Sequence, residues 1–144
     1  MIKEFMEKDH QRCDRLFAEA ESLVSESRWE EGESAFHEMR EAIERHFSME
    51  EKLFFPRFEA VSGMTMGPTQ VMRQEHEQMR ALFDDMEESL KAREADAYLG
   101  DSETLLIMMQ QHNAKEEQVL YPMLDAHLAV EAERLIEEAG GIDR

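Results

Sequence analysis

The chain has 144 residues, 35% charged and 42% apolar, a mixture that suits amphipathic helices rather than disorder and is long enough for one domain with one hydrophobic core. Three Pro and six Gly leave little material for a turn-rich β fold. The formal net charge of -18 repels phosphate backbones and anionic lipid surfaces, which argues against nucleic acid or a membrane as a partner.

Four helical stretches follow in chain order. In the first, Ile2, Met6, His10, Cys13, Phe17, Ala20 and Val24 recur at spacings of three and four and share one face. Ser25 to Ser27 interrupt it, and Ser27 with Glu30 reads as a capping box opening a second helix. That helix carries Phe36, Met39, Ile43, His46, Met49, Glu50, Leu53 and Phe54 on one stripe. The segment from Ser62 to Pro68 breaks the pattern, with Pro68 suited to the first turn of a third helix. The third stripe is Met72, His76, Met79, Phe83, Met86 and Leu90. Gly100, Asp101 and Ser102 read as the next stop and cap. The fourth stripe is Leu105, Met108, Met109, His112, Glu116, Val119 and Leu120, with a weaker pattern reaching Ile136 before Gly140 and Gly141. No stretch alternates as a strand does. Short connections predict an all-α, up-down-up-down antiparallel four-helix bundle, one domain over 1–144 with its core at about 4–136.

Cys13 is the only cysteine, so no intramolecular disulfide forms. The first residues lack the apolar run of a signal peptide, and the longest purely apolar run, Leu105 to Met109, is far too short to span a bilayer. A cytoplasmic protein is the expectation.

The sequence repeats at an offset of 66 residues. His10 falls on His76, Leu16 on Leu82, Phe17 on Phe83, Glu21 on Glu87, His46 on His112, Glu50 on Glu116, Glu51 on Glu117 and Pro56 on Pro122. Two helical hairpins related by a pseudo-twofold axis are the simplest architecture. Residues four apart on a helix lie about 40° apart around its axis, so His46 with Glu50, and His112 with Glu116, project together. Their neighbours on the stripe are Met, Leu, Ile and Phe, so all of them face the interior. Two buried carboxylates repel each other in a low-dielectric core unless cations lie between them. Imidazole with carboxylate suits iron, zinc or manganese. The candidate metal ligands are therefore His10, His46, Glu50, His76, His112 and Glu116.

Other residues read more plainly. Glu51 and Glu117, at i+5, turn away from the stripe and read as solvated surface residues. His37 and His127 have no repeat partner and read as surface residues. Cys13, whose repeat partner is Met79, reads as a small core residue, and the 12 Met as core filler. Tyr121 matches Phe55, which suggests packing first, with a hydroxyl able to approach a metal.

The order His10, His46-x-x-x-Glu50, His76, His112-x-x-x-Glu116, with His46-Phe47-x-x-Glu50-Glu51-x-x-Phe54-Phe55-Pro56, Glu75-His76-Glu77 and His112-x-x-x-Glu116-Glu117-x-x-Leu120-Tyr121-Pro122, resembles the hemerythrin and HHE cation-binding family from about residue 4 to about residue 136. That resemblance implies a non-heme di-iron centre with an oxo or hydroxo bridge. In it His10 and His46 would hold one iron, His76 and His112 the other, and Glu50 and Glu116 would bridge them. Zinc or manganese are possible substitutes. The chain departs from the oxygen carriers, which have two histidines four apart on the third helix, whereas His76 has Arg80 at i+4 and Met72 at i−4. Carriers also tend to use aspartate at i+5 on the last helix. The four-His, two-Glu set is closer to the iron-sensing hemerythrin-like domains attached to some ubiquitin-ligase subunits. A guanidinium cannot ligate iron, so the Arg80 head is expected to swing outward and leave the iron of His76 and His112 more open.

Three functions follow as alternatives. One is a di-iron protein binding O2, NO or iron for sensing, storage or redox response. Another is a di-iron peroxidase or catalase-like enzyme acting on hydrogen peroxide. The third is a structural or interaction bundle with an adventitious metal. No catalytic residue is assigned from the sequence.

Overall fold

The first stripe folds as its spacing dictates. Ile2, Met6, His10, Cys13, Phe17, Ala20 and Val24 are all buried on one face of α1 (Ile2–Ser25). The computed structural model describes residues 1–142. After α1 come α2 (Trp29–Met49), a π-helical segment at Glu50–Phe54, α3 (Phe55–Ser62), α4 (Pro68–Lys91) and α5 (Ala95–Lys115). A second π-helical segment at Glu116–Leu120, α6 (Tyr121–His127) and α7 (Ala132–Gly140) follow. Among the described residues there is no strand.

The repeat governs the backbone as well as the side chains. The bounds of α4, α5 and the second π-helical segment are those of α1, α2 and the first, each displaced by 66 residues. The turns match too. Ser27 and Arg93 both take a left-handed backbone, with φ of 59° and 52°. Around Ser27 the amides of Ser27 and Arg28 donate to Val24 O and Leu23 O, and around Arg93 the amides of Arg93 and Glu94 donate to Leu90 O and Ser89 O. These are the bonds that close a helix C-terminus through a left-handed residue.

Two expectations fail at these turns. Ser27 does not cap α2. It sits in the left-handed position closing α1, and α2 starts at Trp29 after Arg28 with no side-chain cap. Gly100, Asp101 and Ser102 do not stop a helix but lie inside α5. An exposed helical Gly costs only about 1 kcal/mol, which the packing of α5 outweighs. The true break, at residues 92–94, contains no Gly or Pro, and for that reason its composition carried no signal. Ser102 is buried and donates to Glu21 Oε2 at 2.6 Å. Pro68, by contrast, opens α4 as its chemistry predicts.

α1 packs chiefly on α2 and α4 on α5, and contacts of α1 with α5 and of α2 with α4 join the two pairs. Two apolar clusters result. One contains Phe17, Phe36, Met39, Phe83, Met86, Tyr98 and Leu105. The other contains Ile2, Met6, Phe54, Phe55, Phe58, Tyr121, Leu124 and Leu135. The buried histidines and glutamates belong to neither cluster. α7 packs on α1 and on the first π-helical segment, and Arg45 donates to Ile142 O at 2.9 Å and to Gly140 O at 3.0 Å.

The π-helical segments have a visible cause. In an α-helix the residues at Pro56 and Pro122 would donate to the carbonyl four back and would crowd it with the ring. Proline has no N–H to give. Widening the turn moves that carbonyl away, and the amides of Phe55 and Tyr121 donate instead to Glu50 O and Glu116 O. Each wide turn starts at the glutamate that the sequence nominates as a ligand.

Candidate metal centre

The four stripes bring all six sequence-nominated ligands together. His10, His46, His76 and His112 are at most 4% exposed, and Glu50 and Glu116 are fully buried. Donor atoms of Glu50, His76, His112 and Glu116 lie within 4.8 Å of one another, and so do those of His10, His46 and Glu116. His37 and His127 lie outside, as expected. His37 is exposed beside Glu33, and His127 Nδ1 meets its own helix at Met123 O.

Each of the four rings is held from behind by a carboxylate. His10 Nδ1 lies 2.7 Å from Glu117 Oε2, and His46 Nδ1 lies 2.7 Å from Asp9 Oδ2. His76 Nδ1 lies 2.6 Å from Glu51 Oε2, and His112 Nδ1 lies 2.8 Å from Glu75 Oε1. An ionised carboxylate only accepts, so Nδ1 donates and each Nε2 is turned toward the centre. Every one of these bonds joins neighbouring helical runs. Asp9 of α1 holds α2, Glu51 beyond α2 holds α4, Glu75 of α4 holds α5, and Glu117 beyond α5 holds α1.

This corrects the reading of Glu51 and Glu117 as solvated surface residues. Each directly follows an inward glutamate and so stands at the edge of the inward face, from which it reaches the histidine of the facing helix. Asp9 and Glu75 were missed, although a signal was there: they are a matched acidic pair at the 66-residue offset, each directly before a histidine.

The buried electrostatics are unusual without a cation. Glu50 Oε1, Glu116 Oε2, His76 Nε2 and His112 Nε2 are buried without a hydrogen-bond partner. Contacts exist, at 3.1 Å between His76 Nε2 and Glu50 Oε1 and 3.4 Å between His112 Nε2 and Glu116 Oε1, but their angles are not those of hydrogen bonds. All four residues belong to one donor cluster, and orphaned buried polar atoms so grouped fit the binding of a cation. The carboxylates bias the imidazoles toward their charged forms. Burial pushes His46 down, yet Glu50 and Asp9 outweigh it and hold the imidazole well above its ordinary value. His112 is likewise desolvated, yet Glu116 lifts it to about 9, and Glu50 and Glu51 raise His76. Burial pushes Glu50 up, but His46 and the surrounding hydrogen bonds hold it well below the carboxylate range. Glu51, half-buried, is held at about 2 by its bonds to His76 and Arg80 against that desolvation.

The second coordination side carries asymmetry. Arg80 points outward as expected and pairs with Glu44, Glu77 and Glu51, its Cζ 5.2 Å from the centre of the Phe47 ring. Phe47 in turn stacks on His76 at 3.8 Å. Tyr121, fully buried, places its hydroxyl oxygen 2.7 Å from Glu50 Oε2 and 3.0 Å from Glu116 Oε1. The same oxygen is 3.2 Å from His46 Nε2 and 3.3 Å from His10 Nε2. Burial and the two glutamates push its acidity well above the ordinary tyrosine value. Cys13 is buried, and desolvation raises its thiol to about 11, which makes it a core residue rather than a reactive one. With Met79, Ile43, Met109 and Phe47 it lines a cavity of about 10 Å³ beside His10, His46 and His112.

No solved structure and no curated protein matched the chain. The family model described as hemerythrin HHE cation binding domain matches residues 1–124. The chain, with its buried His and Glu clusters able to hold a metal ion, belongs to the hemerythrin HHE cation-binding domain family.

Proposed function

We propose that residues 1–144 form a single up-down-up-down antiparallel bundle built around a non-heme di-iron centre. In this reading His10 and His46 hold one iron, His76 and His112 hold the other, and Glu50 and Glu116 are shared. The observation that carries it is the inward set of donors, each His aimed by a carboxylate and four buried donor atoms lacking a partner. Two irons supply redox electrons and open positions for small ligands such as O2, NO or peroxide. The protein's part is to keep the four Nε2 atoms neutral and aimed, and to keep water scarce.

The role that fits best is binding of O2, NO or iron itself in sensing, storage or redox response. The cavity of about 10 Å³ beside the histidines, at the lower limit for a single water, supports a small occupant over a larger substrate. Peroxide chemistry is the second reading, favoured by the outward Arg80, which gives no donor where the carriers have one. No helix among the described residues is long and apolar enough to cross a membrane. A single buried cysteine fits a reducing, cytoplasmic setting.

Iron-replete protein purified in air should contain about two irons per chain, as paired His and Glu ligands in a bundle require. Its optical spectrum should change on reduction and on exposure to O2 or NO. Stoichiometric spectral change without turnover supports the binding role, and rapid peroxide disproportionation supports the enzyme. Zinc at the same six side chains would keep the geometry and remove the redox chemistry. Failure of iron-replete protein to retain any metal there overturns the reading.

A further inference from the structure

We propose that Tyr121 is a further ligand, supplying a phenolate oxygen to the metal of His10, His46 and Glu116 and making the two metal positions chemically different. The inference rests on the di-iron reading above and deepens it.

The geometry is that of a coordination shell. An ion about 2.1 Å from each donor sets neighbouring donors about 3.0 Å apart along an octahedral edge and about 3.4 Å apart along a tetrahedral one. The hydroxyl oxygen of Tyr121 lies 3.0 Å from Glu116 Oε1, 3.2 Å from His46 Nε2 and 3.3 Å from His10 Nε2. Those three donors form one of the two ligand clusters, and His10 Nε2 is itself 3.1 Å from Glu116 Oε1. The phenol oxygen therefore caps the cluster at ligand spacing from every member.

With neutral rings, as metal ligation requires, hydrogen bonding alone leaves this arrangement unfinished. With Asp9 and Glu117 occupying both Nδ1 atoms, the neutral rings that ligate metals present lone pairs at Nε2. Glu50 Oε2, 2.7 Å away, is also an acceptor. Tyr121 has one hydroxyl proton to meet four acceptors. A cation among them serves all of them at once. On coordination the phenol O–H bond breaks, the oxygen–metal bond forms, and the proton leaves to solvent, with no change in oxidation state.

The twofold repeat supplies the contrast. Phe55 occupies the position of Tyr121 in the other half, equally buried, with its ring 6.2 Å from that of His76. It has no donor atom. The metal of His76 and His112, whose cluster includes both Glu50 and Glu116, thus lacks a phenolate, and the two positions differ in the kind of ligand they hold.

The chain has only two tyrosines, which makes the test clean. Tyr98 packs on Phe36, away from the site. Ferric protein should show a visible phenolate-to-iron charge-transfer band, and excitation into it should enhance tyrosine ring vibrations in the Raman spectrum. Growth on ring-deuterated tyrosine should shift those vibrations in the wild-type protein, so the assignment does not depend on any variant folding. Tyr121→Phe should lose the band while keeping the iron of His76 and His112, and Tyr98→Phe should leave it unchanged. Two bound irons with no tyrosine-enhanced vibrations would overturn the proposal and leave the di-iron reading intact. A band that survives in Tyr121→Phe would overturn it equally. Absence of iron would overturn both.

Discussion

Glu51 offers the sharpest test of how the site is built, because the sequence alone makes it a spectator. Its Oε2 accepts from His76 Nδ1 at 2.6 Å, and both of its oxygens accept from Arg80 at 3.0 and 3.1 Å. Glu51→Ala removes the acceptor that fixes the orientation of His76, while Arg80 keeps Glu44 and Glu77. Carboxylates behind a metal-bound imidazole typically contribute 10- to 100-fold to metal affinity, or about 1.4 to 2.7 kcal/mol. The loss should fall on the ion held by His76 and His112. Glu117→Ala should weaken the other ion, since Glu117 holds only His10. Glu51→Gln keeps an acceptor without the charge and should fall between wild type and Glu51→Ala. Competition against a chelator, followed optically, measures both ions. Unchanged affinities in folded Glu51→Ala and Glu117→Ala would refute the argument that these carboxylates aim the rings.

Glu50→Ala or Glu116→Ala should cost more metal than either outer variant, because each removes a shared ligand from the fully buried centre; equal losses measured by metal analysis would refute this. Arg80→Met should weaken metal binding less than Glu51→Ala, since the guanidinium reaches His76 only indirectly, through Glu51 and the Phe47 ring, and a chelator titration that ranks it worse would refute that order. The pH dependence of the metal-free protein has a definite sign. His112 is raised from 6.5 to about 9 in the fold, so its stabilisation is complete below about 6.5 and is lost as pH rises toward 9. The melting temperature of chelator-treated protein should therefore fall across that window, whereas iron-loaded protein, with neutral imidazole ligands, should show a flatter profile. A flat profile without metal would refute the assignment of protons to these sites.

The six inward His and Glu were legible as a buried cluster because they sit at helical spacing among apolar residues and recur 66 residues apart. The first and third helices were legible for the same reason. The second layer was not, because i+5 from His46 or His112 turns away from the stripe, whereas the same residue is i+1 to Glu50 or Glu116 and stands at the edge of the inward face, within reach of the facing helix. The start of α5 was misplaced because Gly100 looked like a stop, while the left-handed Arg93 carried no compositional mark. The offset itself held the answer, since the turn after α1 maps onto residues 92–94. Tyr121 against Phe55 was visible as a mismatch, but only the position of its hydroxyl gives the mismatch a chemical meaning.

The four carboxylate–imidazole bonds have a consequence beyond aiming the rings. Taken in order they run from α1 to α2, from beyond α2 to α4, from α4 to α5, and from beyond α5 back to α1. They form a closed hoop at the level of the buried His and Glu clusters. A hoop resists spreading only while it is unbroken. The first link cut should release most of its tension, and a second cut should cost little more, so double variants such as Asp9→Ala with Glu75→Ala should fall short of the sum of the single effects. The scaffold and the candidate site are then not a frame and its contents: the layer that aims the histidines also ties α1, α2, α4 and α5 to one another.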